Sequence, residues 1–84
     1  MKLNLYHVRR LDYGGYDTYS DFVICTADEE TARHADPSNG EPVKDWKEHW
    51  SCWTDSPDNV EVRFLGEASS DLQPGVICAS YHAG

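Results

Sequence analysis

The apolar positions of this chain fall into short runs separated by polar stretches rich in glycine and proline, and the period changes from run to run. Residues 2–10 alternate as a strand does, with Leu3 and Leu5 on one face and Tyr6 and Val8 on the other. The apolar face switches near Leu5, which implies either burial on both sides or a bulge. Residues 11–18 carry Gly14-Gly15 among Asp and Tyr, a turn signal in a loop longer than a tight hairpin. Residues 19–25 predict a second strand, with Phe22-Val23-Ile24-Cys25 as its buried centre.

Thr26-Ala27-Asp28-Glu29 has capping-box spacing, a hydroxyl at the N-cap with Glu at N3. Asp28, Glu29 and Glu30 then crowd the first turn of the predicted helix and Arg33 and His34 its last, as the helix dipole favours. This helix ends before Pro37, and residues 36–43, with Pro37, Gly40 and Pro42, form a loop. Residues 44–53 predict a short helix, because Trp46, His49, Trp50 and Trp53 recur at spacings of three and four and make one aromatic stripe. Residues 54–59 hold Pro57 and form a turn. Residues 59–65 form the clearest strand, with Val60, Val62 and Phe64 inward and Glu61 and Arg63 outward. A polar loop over 66–74 leads to a last strand over 75–81. Its run Val76-Ile77-Cys78-Ala79 suits an inner strand rather than an exposed edge. The order is strand, strand, helix, short helix, strand, strand. With short connections it predicts an α+β fold in one domain over residues 1–84, a four-stranded, mainly antiparallel sheet with the helices on one face.

Charge narrows the function classes. The 84 residues hold fifteen acidic against seven basic side chains, for a net charge of -8. The acids are spread from Asp12 to Asp71, so no tail carries them. A field of this sign repels nucleic-acid phosphates and anionic lipid, and it attracts basic proteins, including those that hold DNA or RNA. The same charge also keeps a small domain soluble. No apolar run approaches the ~20 residues of a membrane span. The first residues lack the apolar core of a signal peptide, so a cytoplasmic location is expected. Three cysteines, Cys25, Cys52 and Cys78, are an odd number and read as free thiols in a reducing compartment. Cys25 and Cys78 sit within apolar runs, as small buried hydrophobes do.

Chemistry is sparse. His49-x-x-Cys52 and Cys78-x-x-x-His82 are tempting as zinc ligands, but an extended 78–82 segment sets its two side chains ~13 Å apart. Two ligands on a helix do not make a site. Adjacent Ser80, Tyr81 and His82 alternate across a strand and cannot act together. Gly14-Gly15 is followed by neither a helix nor a lysine, so it is no phosphate loop. No metal, cofactor or catalytic residue is expected. A small thiol- or metal-dependent enzyme built on His49, Cys52, Cys78 and His82 stands as the alternative from another class. What remains is a recognition surface. Tyr13, Tyr16 and Tyr19 crowd the first loop among Asp12, Asp17 and Asp21, and aromatic anchors ringed by polar groups are what protein interfaces use.

Across nearly the whole chain, Tyr6-His7-Val8-Arg9-Arg10, Gly15-Tyr16-Asp17-x-Tyr19-x-x-Phe22-Val23, Ala27-x-Glu29-x-x-Ala32-Arg33, Asn59-Val60-x-Val62 and Gly75-Val76-Ile77-x-Ala79-Ser80-Tyr81 together resemble small uncharacterised bacteriophage proteins. The order Gly15-Tyr16-Asp17, Ala27-Asp28-Glu29-Glu30-Thr31-Ala32, Asp45-Trp46, Trp53-Thr54-Asp55-Ser56 and a final Gly-Val-x-x-Ala-Ser strand is similar to a type II-C anti-CRISPR protein. That family covers the HNH nuclease domain of a CRISPR effector and blocks its catalytic residues. The resemblance implies a phage-encoded inhibitor acting in the infected host cell on a basic nuclease. It implies that Ser80 belongs to the partner-binding surface, and Tyr81 and Asp55 are expected there with it. Tyr81 stands where that family has a cysteine, and the final strand has two extra residues before Ala79-Ser80.

Overall fold

Val8 and Phe22 face each other across two central strands, and both are fully buried. From this pair the fold can be built outward. The computed structural model describes residues 2–12, 18–44, 46, 53–54 and 56–82. Strand β1 (Asn4–Arg10) pairs antiparallel with β2 (Thr18–Thr26) on one side and with β3 (Val60–Glu67) on the other. Strand β4 (Gly75–His82) pairs antiparallel with β2, so the sheet order is β3-β1-β2-β4. The helical part is small: α1 (Glu29–Arg33) and one 3-10 turn, Pro57–Asn59. No helix among the described residues is long and apolar enough to cross a membrane.

Register sorts the side chains into cross-strand rows, because paired residues of neighbouring strands point to the same face. The rows Val62–Val8–Phe22–Ala79 and Phe64–Tyr6–Ile24–Val76 make the inner face. Onto them pack Ala32 of α1, Ala35, Val60 and Trp53, which complete the core with Trp46 and Tyr19 at its margin. The Trp53 ring meets Phe22 edge-on at 5.4 Å between centroids. The rows Glu61–Arg9–Asp21–Ser80 and Arg63–His7–Val23–Cys78 make the outer face, where every side chain is half-buried or exposed.

Three irregularities modify the alternation. The register between β1 and β3 shifts at Leu5/Tyr6, leaving Leu65 as the extra residue and resolving the face switch near Leu5 as a bulge. Gly66 beside it takes φ 143, a conformation side chains rarely adopt. Ser20 is the extra residue of β2 and Ile77 that of β4.

The bulge at Ile77 explains why the last strand misleads the reader of the sequence. Val76 and Ala79 face inward and Cys78 outward, so the apolar run comes from a phase slip rather than from burial on both sides. β4 is therefore an edge strand and not an inner one, and Cys78 is exposed and not a buried hydrophobe, whereas Cys25 is buried as expected. Phe64 lies on the inner row, yet it is 57% exposed because β3 is the other edge; its ring meets that of Tyr6 edge-on at 5.8 Å.

The helix start also differs from expectation. Thr26 is the last residue of β2, paired with Asn4, and the N-cap is Asp28, whose carboxylate accepts from the Thr31 N–H at 2.8 Å. β2 runs one residue past Cys25, which moves the cap from the first polar residue to the next one with a short acceptor side chain. Gly40, at φ 76, ends the turn after the helix, where a Cβ would stand 3.3 Å from the Val76 backbone nitrogen. Of the aromatic helix expected over 44–53, Trp46 is half-buried and Trp53 buried; Asp45 and residues 47–52 lie outside the described residues.

Trp53 covers Phe22 and Arg10 together, so truncating it opens the core and releases a cation. Trp53→Ala should cost about 3–5 kcal/mol in urea unfolding. A loss under about 1 kcal/mol would show that the tryptophan is not part of the core.

Candidate functional site

The corner where β2 begins and β4 ends gathers most of the described residues that the sequence marks out for recognition. Ser20, the bulge residue, lets Tyr19 stand opposite Tyr81 while Asp21 stands opposite Ser80. The two tyrosine rings pack edge-on at 5.0 Å between centroids. Tyr81 is 46% exposed, and Tyr19 is half-buried against the core. The pair is thus anchored at one end and open at the other.

Asp21 is held from two sides. Ser20 Oγ donates to its Oδ1 at 2.8 Å, and His7 Nε2 lies 2.7 Å from its Oδ2. A hydroxyl, a carboxylate and an imidazole in line suggest a hydrolytic triad, but the order is wrong. The carboxylate sits between the other two, so the serine proton is directed to Asp21 and not to His7. What the arrangement does is fix the carboxylate on the outer face, next to Ser80.

Asp12 is held differently. Arg10 Nε donates to its Oδ1 at 2.8 Å and Arg10 Nη2 to its Oδ2 at 3.1 Å, a bidentate pair. Thr54 Oγ1 donates to the same Oδ2 at 3.1 Å. The Arg10 side chain is only 9% exposed, its guanidinium carbon lies 5.8 Å from the centre of the Trp53 ring, and its Nη1 donates to the Tyr19 carbonyl at 3.4 Å. One cation therefore joins β1, β2 and the segment that carries Trp53 and Thr54. The hydrogen bond from Arg10, opposed by burial and aided by Thr54, holds the Asp12 carboxyl below its ordinary range.

On the outer face acidic and basic side chains stand together. Arg9 Nη2 pairs with Glu61 at 3.2 Å and His7 with Asp21, while Arg63 stands exposed beside them. Lys2 pairs with Glu67 at 2.6 Å. Asp12 and Asp21 thus each have a basic partner. The exposed acids that stand together in sequence, Asp28, Glu29 and Glu30, are at the start of α1.

Among the predicted recognition residues, the structure brings together Tyr19, Asp21, Ser80 and Tyr81, and it ties Asp12 to Tyr19 through Arg10. Tyr13, Tyr16, Asp17 and Asp55 lie outside the described residues. His7, Arg10, Ser20 and Thr54 were not singled out from the sequence. The available signal was scarcity: a chain with seven basic residues and fifteen acids gives Arg10 a carboxylate within reach. Among the described residues no group of three or more His, Cys, Asp or Glu side chains could hold a metal ion, and His49 and Cys52 fall outside them. Comparison with family models, with curated proteins and with solved structures finds no match.

The Asp12 pair carries a pH signature. Its carboxyl is more acidic in the folded than in the unfolded chain, so its stabilisation is fully present above the unfolded value near 4 and is lost as pH falls through the lower folded value. Asp12→Asn should lower stability at pH 7 by about 0.5–1 kcal/mol, a discounted figure for a partly solvated pair. It should also flatten the loss of stability below about pH 4 in a series of urea titrations. Parallel curves for the two proteins would contradict the assignment.

Proposed function

We propose that this chain is a non-enzymatic protein-binding domain that recognises a basic protein through the Tyr19–Tyr81 corner, with Asp21 and Ser80 beside it. The observation that carries this reading is convergence: residues 19–21 and 80–81, far apart in sequence, meet around a half-exposed aromatic pair. Aromatic rings with one face anchored lose little freedom on binding, which makes them suited to interface hot spots. The net charge of -8 supplies long-range attraction to a positive surface. In this reading the helices pack on one face of the sheet, and the partner approaches at its β2–β4 corner, where Tyr81 stands exposed.

The class of partner rests on charge and on resemblance. Proteins that hold nucleic acid present basic surfaces. The resemblance of the sequence to an anti-CRISPR family points to a nuclease of a bacterial defence system, with a CRISPR effector subunit as the target and the infected host cell as the setting. Ser80 and Tyr81 lie in the strand that carries this resemblance, and Asp55 belongs to the same proposed surface. The domain would act by covering the nuclease and not by chemistry of its own. A phage accessory protein that uses the same corner on another partner is the second reading, favoured by the lack of a shared Cys at position 81.

Pull-down of purified basic nucleases, CRISPR effectors included, with a cleavage assay, tests the proposal. Binding should weaken at least tenfold for Tyr81→Ala and again as salt rises from about 50 to about 200 mM. Absence of binding to any such nuclease at low salt would remove it.

A further inference from the structure

β2 and β4 are bulged on opposite strands, and the two bulges cancel. Ile24 opposes Val76 and Tyr19 opposes Tyr81, and between these pairs each strand has four residues, 20–23 on β2 and 77–80 on β4. Equal segments could face each other without interruption. Instead Ser20 is left over on β2 and Ile77 on β4. The pairs between them, Asp21–Ser80, Phe22–Ala79 and Val23–Cys78, therefore stand one residue out of step with both flanks. A bulge leaves its extra residue outside the ladder. Here that happens on both strands although a regular register is available.

We infer that β4 has a second register on β2, reached when residues 77–80 slide by one position and both bulges close. The regular register pairs Val23 with Ile77, Phe22 with Cys78, Asp21 with Ala79 and Ser20 with Ser80, and the flanking pairs stay as they are. β2 is fixed over 21–26 by its regular pairing with β1. The turn at Gly40 lies against the Val76 backbone and holds the start of β4. No described strand flanks the outer side of β4, so the slide breaks no pairing but its own. The bulge at Ile77 travels toward the one at Ser20 one pair at a time, and β4 stays on β2 throughout. Opposite Phe22, Cys78 replaces Ala79, one small apolar side chain for another. Ile77 gains Val23 as a cross-strand neighbour, two β-branched residues that suit a ladder. What opposes the slide is Tyr19, which packs against the core in the bulged register.

The slide redraws the recognition corner. In the bulged register Tyr19 and its partner Tyr81 lie on the inner side of the sheet, and Asp21 on the outer side. With the bulges closed, alternation runs unbroken from Phe22, and Tyr19, Tyr81 and Asp21 all face outward. The use of this state rests on the function proposed above: it is the register a basic partner takes, because it alone sets the aromatic pair and a carboxylate on one face. A minor state at about 0.1–10% is enough for binding to select.

Introduced cysteines read the register in the full chain, with Cys52→Ser and Cys78→Ser removing competing thiols. Asp21→Cys with Ser80→Cys sets two thiols opposite each other in the bulged register. Asp21→Cys with Ala79→Cys does so in the regular one; in the bulged register these two point to opposite faces and cannot bridge. Under oxidised glutathione both pairs should close within one chain, the 21/79 pair about 10–1000-fold more slowly, as a state populated at about 0.1–10% requires. Deleting Ser20 and Ile77 together makes the bulged pairing the regular one. It should abolish the 21/79 disulfide and keep the 21/80 one. A 21/79 pair that stays reduced while 21/80 closes would overturn the inference, and so would one that still closes in the double deletion. Amide relaxation dispersion on the unaltered chain needs no variant to fold. It should show exchange at residues 19–23 and 77–81 and none at 62–64 of β3; equal exchange in β3 would overturn the two registers. Held in the bulged register, the double deletion should bind a nuclease at least tenfold more weakly than the parent. Equal binding would overturn the role of the slide in recognition. A parent that binds no nuclease would remove the proposed function alone, since disulfide closure and dispersion decide the registers without a partner.

Discussion

Arg10 is the point on which the structure turns. Its guanidinium lies against the Trp53 ring, chelates Asp12 and reaches the Tyr19 carbonyl, while its stem is buried on the inner side of β1. A buried cation is costly unless paired, so this residue fixes its partners as firmly as they fix it. The chain leaving β1 is anchored at Asp12 and Thr54, and β2 is anchored where it begins. Trp53 is brought over Phe22, and the inner face of the sheet is closed. Trp53 Nε1 is buried without a hydrogen-bond partner among the described residues.

That closure gives the sheet two unlike faces. The inner rows bury Val8, Phe22, Tyr6 and Ile24; the outer rows carry the pairs Arg9–Glu61 and His7–Asp21. The proposed recognition corner lies where the faces meet, at the Ser20 bulge. A bulge is well suited to such a place, because it re-aims a side chain without breaking the ladder. Here it allows Tyr19 to root in the core and still pack against an exposed Tyr81. Among the described residues negative charge is not concentrated at this corner, where Asp12 and Asp21 are engaged by bases. It acts as a property of the whole molecule and sets the rate and salt dependence of encounter rather than local fit.

Much of the architecture was legible in the alternation of apolar residues. The four strands, their antiparallel pairing and the helix after β2 follow from period, short connections and turn residues, and the face switch at Leu5 announced a bulge. Strand order was not legible, because the sequence does not say which strands lie outside. Ile77 shows why: one inserted residue makes a half-exposed strand look like one buried on both sides. Thr26 shows another limit, since a hydroxyl with Glu three residues on satisfies the capping pattern whether or not the strand has ended. For the site, Tyr19, Asp21, Ser80 and Tyr81 could be named but not brought together. His7 and Arg10 became visible only in three dimensions: His7 reaches Asp21 diagonally across β1 and β2, and Arg10 turns to Asp12 two residues on.

Residue-resolved hydrogen exchange under native conditions tests most directly whether one closed face governs the fold. If Trp53 and Arg10 seal the inner rows, the amides of residues 6–8 and 22–25 exchange only by global unfolding, and those of residues 64–67, on the bulged edge, open well before it. Exchange at residues 22–25 as fast as at 64–67 would contradict that account.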